Sequence, residues 1–243
     1  ITIERFSPIL AFMNLSFRLA VRAWSVHCLT AVAVIAGILT LLAITHRDYQ
    51  QAFIWMAVAV FIDAIDGTLA RHWSVAEHLP NIDGTLLDNL ADFVNYVITP
   101  CFFLLIHPHL LPADWAVILV CPIVFSSCYQ FCQLQAKTDD HFFLGFPCYW
   151  NFTVFYMFIL QTPGWLNVVI LIVLVGLVFV PIKYLYLSRL DHASPYRAVR
   201  FAILTAAIMF GLASLCLLAE YPQRDPLYLS WVAGFILFYF GYS

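Results

Sequence analysis

Six of the chain's fourteen acidic residues, Asp63, Asp66, Glu77, Asp83, Asp88 and Asp92, fall within thirty consecutive positions, and four of them keep helical spacing. Asp63, Asp66, Gly67, Ala70 and Arg71 stand at i, i+3, i+4, i+7 and i+8, one face of a helix. Gly84, Asp88 and Asp92 stand at i, i+4 and i+8 on the next. If the two faces meet, four carboxylates converge. Out of water they cannot all stay ionised without counter-charge, and two divalent cations would supply it. Oxygen-only ligands suit Mg²⁺ or Mn²⁺ better than zinc. A pair of such ions about 4 Å apart recurs in phosphoryl chemistry, holding phosphate oxygens and stabilising the leaving group. Asp63, Asp66, Asp88 and Asp92 are therefore candidate metal ligands. Gly67 and Gly84 leave room for a ligand to approach, and Arg71 can pair with a phosphate. Asp83, alone before a helix, reads as its N-cap.

The elements that hold these residues belong to a membrane. The chain has 243 residues, 63% of them hydrophobic and 17% aromatic, with 10% charged against roughly 25% in soluble domains. That excludes a soluble globule, and continuous apolar runs such as 166–181 exclude a β-barrel of short alternating strands. The expected fold is all-α, a single membrane-embedded domain over 1–243 with about eight spans at 25–45, 51–70, 85–106, 115–135, 147–161, 164–186, 198–219 and 227–242. Residues 1–24 carry Glu4, Arg5, Arg18 and Arg22, too many charges for a span. Phe6, Ile9, Leu10, Met13, Phe17, Val21 and Trp24 recur there on one helical face, which predicts an interfacial amphipathic helix. The seven cysteines are scattered without metal or redox spacing and read as small packing residues.

Nine of the eleven basic residues fall in the N-terminal segment and the even-numbered loops, leaving Arg47 and Arg224 for the other side. The positive-inside rule then places both termini, the even loops and the carboxylates in the cytoplasm. A divalent-cation transporter would also put acids in its spans, but usually near the bilayer midplane. Here they sit at one membrane face with an arginine at the rim. A net charge of −3 gives no reason to expect a nucleic-acid partner.

Asp63-Ala64-Ile65-Asp66-Gly67-Thr68-Leu69-Ala70-Arg71 and Gly84-Thr85-Leu86-Leu87-Asp88-Asn89-Leu90-Ala91-Asp92 resemble, at every fixed position, the signature D-x2-D-G-x2-A-R … G-x3-D-x3-D of the CDP-alcohol phosphotransferase family. The spacer, 72–83, has twelve residues and is longer than in most of that family. With Leu79-Pro80-Asn81, the stretch from Lys137 to Pro147, Tyr149-Trp150-Asn151 and Pro181 to Tyr186, it resembles the bacterial branch that uses choline. Eight spans rather than six also fit that branch. The resemblance implies a reaction in which CDP-diacylglycerol gives its phosphatidyl group to the choline hydroxyl and CMP leaves. It further implies two divalent ions, Mn²⁺ or Mg²⁺, on Asp63, Asp66 and Asp88, with Asp92 as general base and a further metal contact. In that scheme Gly67, Ala70, Arg71 and Gly84 line the nucleotide site, and the protein is a homodimer in the bacterial inner membrane. Serine, glycerol phosphate or inositol phosphate as acceptor remains the alternative.

Two weaker sets complete the candidates. Lys183 and Arg189 follow the sixth span on the cytoplasmic side, as phosphate ligands or as ordinary anchors. Asp139, Tyr149 and Trp150, with Phe142 and Phe143 beside them, could recognise the choline cation or belong to an interfacial aromatic belt.

Overall fold

The computed structural model describes residues 7–190 and 194–243. Helix α1 (Ser7–Thr45) turns back within a few residues into α2 (Tyr49–His72), where the Asp48 side chain caps α2 by accepting from the Gln51 amide. After a short helix α3 (Val75–His78), α4 (Gly84–Asp92) starts at Asp83, whose carboxylate accepts from the Leu86 amide at 3.0 Å, the cap expected of it. A π-helical turn (Phe93–Ile98) joins α4 without a break to α5 (Thr99–Ile106), giving one rod over Gly84–Ile106. Then come α6 (Ala116–Cys132), α7 (Trp150–Leu160), α8 (Gly164–Val178), α9 (Arg197–Ala219) and α10 (Pro226–Tyr242). Among the described residues five helices are long and apolar enough to cross a membrane, and α7, α8 and α10 are shorter apolar helices. The protein is an all-α, multi-pass membrane protein. Its eight apolar stretches fall where the hydropathy places them.

Their limits differ from expectation in three places. Of the segment read as interfacial, residues 1–6 lie outside the described residues. From Ser7 onward it continues into the first span as part of one helix of 39 residues, with no break at Trp24. The sixth span, expected to run to 186, ends at Val178. Its last residues instead form strand β2 (Lys183–Leu185), antiparallel to β1 (Phe142–Leu144), with Phe143 opposite Tyr184. Finally, α7 has only 11 residues, about 16 Å of helix against a hydrocarbon layer of about 30 Å. Protein, more than lipid, surrounds it: Trp150, Val154, Met157 and Ile159 are almost wholly buried.

The core runs between these helices. Phe53, Phe103 and Phe158 pack ring against ring, with Ile44, Leu104, Ile123 and Leu217 around them. Ile35, Phe61, Phe125, Ile172, Phe201 and Leu237 are exposed, as a surface facing lipid requires. Near the carboxylates, α1 and the third span approach closely because Gly37 has no side chain. A Cβ there would lie 2.7 Å from Asn95 Oδ1. Buried Asn95 in turn donates to the carbonyls of Ala33 on α1 and Ala91 on α4, both at 3.0 Å.

The β1–β2 ribbon joins the segment before α7 to the segment after α8. Gly145, just past β1, has φ +81° and donates to the Ile182 carbonyl at 2.9 Å. A Cβ on it would collide with the Val178 carbonyl oxygen, so only glycine fits this crossing.

Candidate active site

The second and third turns from the end of α2 carry Asp66 and Asp63, and α4 carries Asp88 and Asp92. Asp63, Asp88 and Asp92 each offer a carboxylate oxygen, and these oxygens all lie within 4.8 Å of one another. The expected apposition of the two faces is thus realised for three of the four acids. Tyr96, one turn beyond Asp92 and within the π-helical turn, donates its hydroxyl to Asp63 Oδ2 at 2.8 Å.

Asp66 stands outside that trio. It is buried, and its Oδ2 accepts from the Thr30 hydroxyl on α1 at 2.6 Å. Its Oδ1 is buried with no hydrogen-bond partner. One turn earlier on α1, His27 is also buried with Nε2 unpartnered. The imidazole lies against Gly84, where a Cβ would come within 3.0 Å of His27 Cε1. A converging carboxylate trio and an orphaned buried carboxylate oxygen fit hard divalent cations, since an unpaired buried anion is costly until a cation meets it. Neither Thr30, His27 nor Tyr96 carries a signal in the sequence. Each matters through the helix it faces.

Arg71 folds back along α2 over Gly67, with Nη2 donating to the Thr68 hydroxyl at 3.3 Å, while Ala70 packs beside buried Ala23, Val26 and Val75. Lys137, which the sequence counts among the basic residues and places at the start of a stretch carrying the resemblance, lies in the loop after α6. Its charge acts on Asp63, Asp88 and Asp92 alike, while that of Arg71 acts on Asp66 and Asp88. The presence of Lys137 at the head of a motif-like stretch was the signal available.

The weaker candidates separate. Lys183 is held in an ion pair with Asp140 at 2.6 Å, on the surface of the ribbon, and lies over the Phe142 ring. The Lys183 hydrogen bond holds the Asp140 carboxyl below the usual carboxylate range. Arg189 sits half-buried on a 3₁₀ turn (Leu187–Arg189) after β2, and Asp139 is exposed beside Asp140. Tyr149 lies 6.2 Å from the Tyr96 ring and 6.4 Å from that of Phe143. Trp150 does not join it. Its Nε1 donates to Ser127 at 2.8 Å and its ring packs on Phe146, so the residue belongs to the core.

A family model for CDP-alcohol phosphatidyltransferases matches residues 24–180, a stretch that includes the whole carboxylate site. The chain belongs to the CDP-alcohol phosphatidyltransferase family, and with it to divalent-metal-dependent transferases. Within that family it is 49% identical to a phosphatidylcholine synthase of Legionella pneumophila, over 89% of this chain and 85% of that protein. It is 46% identical to the phosphatidylcholine synthase of Legionella bozemanae, over 84% of this chain and 94% of that one. With the phosphatidylcholine synthase of Pseudomonas aeruginosa it shares 34% identity over 88% and 87%.

Proposed function

We propose that this chain transfers the phosphatidyl group of CDP-diacylglycerol to the hydroxyl of choline, releasing CMP. The observation that carries the reading is the Asp63, Asp88 and Asp92 trio bordered by aromatic rings, a metal site for a pyrophosphate next to a surface suited to an organic cation. The printed names of the relatives support the same acceptor.

Asp63, Asp66, Asp88 and Asp92 would hold two divalent cations, Mn²⁺ or Mg²⁺, with Asp66 offering its unpartnered Oδ1. Bound there, the cations supply charge neutralisation for the pyrophosphate and the departing CMP. Asp92 takes the proton from the choline hydroxyl as its oxygen bonds to the phosphorus of the phosphatidyl group. The pyrophosphate bridge then breaks, and the bridging oxygen leaves with CMP. Gly67, Ala70, Arg71 and Gly84 line the nucleotide site, where Arg71 meets phosphate oxygens by leaving its bond to Thr68. Lys183 and Arg189 contact the phosphate nearest the lipid, which for Lys183 requires its pair with Asp140 to open. Asp139 and Tyr149 belong to the acceptor side. The enzyme works as a homodimer in the bacterial inner membrane, with both termini and the site facing the cytoplasm. The family resemblance supports the dimer, and the basic-residue distribution supports the orientation.

The test is whether membranes holding this protein convert labelled choline and CDP-diacylglycerol into labelled phosphatidylcholine when Mn²⁺ is supplied. Label in the lipid, lost on chelation and in Asp88→Asn, is expected. Use of serine or a sugar phosphate with choline ignored would overturn the acceptor, and full activity in excess EDTA would overturn the metal roles.

A further inference from the structure

Beyond the trio and its Tyr96 partner, the rings continue outward. Tyr96 is followed by Tyr149, Tyr149 by Phe143, and Phe143 by Tyr186, whose ring centre lies 4.4 Å from that of Phe143. Phe143 comes from β1, and Tyr186 directly follows β2, so the ribbon brings the last pair together. Over this pair lies a cation. Lys137 Nζ is 5.4 Å from the Tyr186 centroid and 5.9 Å from that of Phe143. Lys137 is exposed, on a loop pinned to Phe143 by a β-bridge, and its ammonium reaches the rings from the solvent side. Both rings are half-buried.

We propose that Phe143 and Tyr186 form the seat for the acceptor's quaternary ammonium, and that the ammonium of Lys137 occupies this seat until the acceptor displaces it. The inference rests on choline as acceptor and deepens that reading by naming the surface that selects it. An ammonium with three hydrogens keeps its hydration and binds ring faces weakly in water. A trimethylammonium carries no N–H, spreads its charge over methyl groups and gains from the same faces on leaving water. A lysine in the seat therefore excludes small inorganic cations and yields to a better occupant. Once the acceptor is seated, Lys137 swings outward and its charge leaves the carboxylates it had been facing. A neutral or zwitterionic alcohol without the trimethyl group has no means of displacing the lysine.

The test uses the purified full-length protein in lipid-containing detergent, with two readouts. One is KM for choline and for CDP-diacylglycerol. The other is the Kd of tetramethylammonium by calorimetry, which needs no turnover. Phe143→Leu and Tyr186→Leu are expected to raise KM for choline and Kd for tetramethylammonium about 3- to 30-fold each, with KM for CDP-diacylglycerol within about twofold. Tyr186→Phe keeps the ring face and should stay near the parent values. Lys137→Met, on an exposed loop, should lower both choline KM and tetramethylammonium Kd by about two- to fivefold, because the internal competitor is gone. A Lys137→Met protein that instead binds choline more weakly, or loses CDP-diacylglycerol, would overturn the proposal and make Lys137 a ligand of the donor. Turnover of choline with neither readout sensitive to the two rings would sink the seat while leaving the reaction standing. Ring-dependent tetramethylammonium binding in a protein that makes no phosphatidylcholine would keep the seat and remove choline as substrate. A wild-type protein that does not bind tetramethylammonium at all would remove the seat.

Discussion

Tyr96 serves Asp63 as Thr30 serves Asp66: each hydroxyl comes from another helix and fixes one carboxylate oxygen, leaving the other for a ligand. Such outer partners orient metal-binding carboxylates, and their loss typically weakens metal affinity about 10- to 100-fold. Tyr96→Phe keeps the ring and removes only this donor, so the Mn²⁺ concentration for half-maximal turnover should rise by that factor. At saturating metal, KM for CDP-diacylglycerol should hardly move. An unchanged metal requirement would show that Asp63 is oriented by something else. The four aspartates were legible because i, i+3 and i, i+4 spacing fixes a helix face without knowledge of its neighbours. Tyr96 and Thr30 were not, since their value depends on which helix lies across from them. Tyr149 and Trp150 show the same limit. Tyr149 caps α7 from a non-helical backbone conformation while Trp150 is the first residue of the helix, so one borders the site while the other packs in the core, and composition does not say which.

At the scale of elements, the ribbon is the feature that local patterning concealed. The apolar run of α8 continues through Val180 and Ile182, and Lys183 reads as a cation at a membrane boundary. Strand pairing with Phe142–Leu144 depends on a segment some forty positions earlier, and periodicity within a window cannot register it. The π-helical turn after Asp92 was equally hidden, because nothing in Phe93–Ile98 departs from an ordinary apolar helix. The ribbon makes its own prediction through Gly145. Gly145→Ala must strain a positive φ and push a methyl into the Val178 carbonyl, costing about 1–3 kcal/mol. Thermal unfolding followed in detergent should show a Tm several degrees lower. Gly176→Ala is the control, as its added Cβ would meet nothing within 4 Å. Equal Tm values for the two variants would mean that the crossing at Gly145 bears no strain.

For the molecule as a whole, the proposed orientation rests on the uneven spread of a few charges. The two sides can be read by single cysteines placed in a chain whose native cysteines have been replaced. Glu77→Cys, exposed on the short helix α3 before α4, should react with a membrane-impermeant thiol reagent only from the cytoplasmic side, and Asp114→Cys, exposed before α6, only from the other. The reverse result would put the carboxylates outside the cell and end the case for a cytoplasmic nucleotide substrate. The positions of the apolar helices were legible from hydropathy, while the brevity and deep burial of α7 were not, because an apolar residue reads alike whether lipid or protein covers it. The distribution of the site along the chain bears on how the protein comes into being. All four aspartates lie within the first 92 residues, whereas Lys137, Phe143, Tyr149 and Tyr186 come later. During synthesis the half that carries the carboxylates emerges complete while the half proposed to face the acceptor is still being made. A duplicated or recombined gene could therefore exchange everything after the loop at 107–115 and alter the choice of alcohol, with the four aspartates inherited intact and only the Lys183 and Arg189 contacts to the donor to be supplied anew.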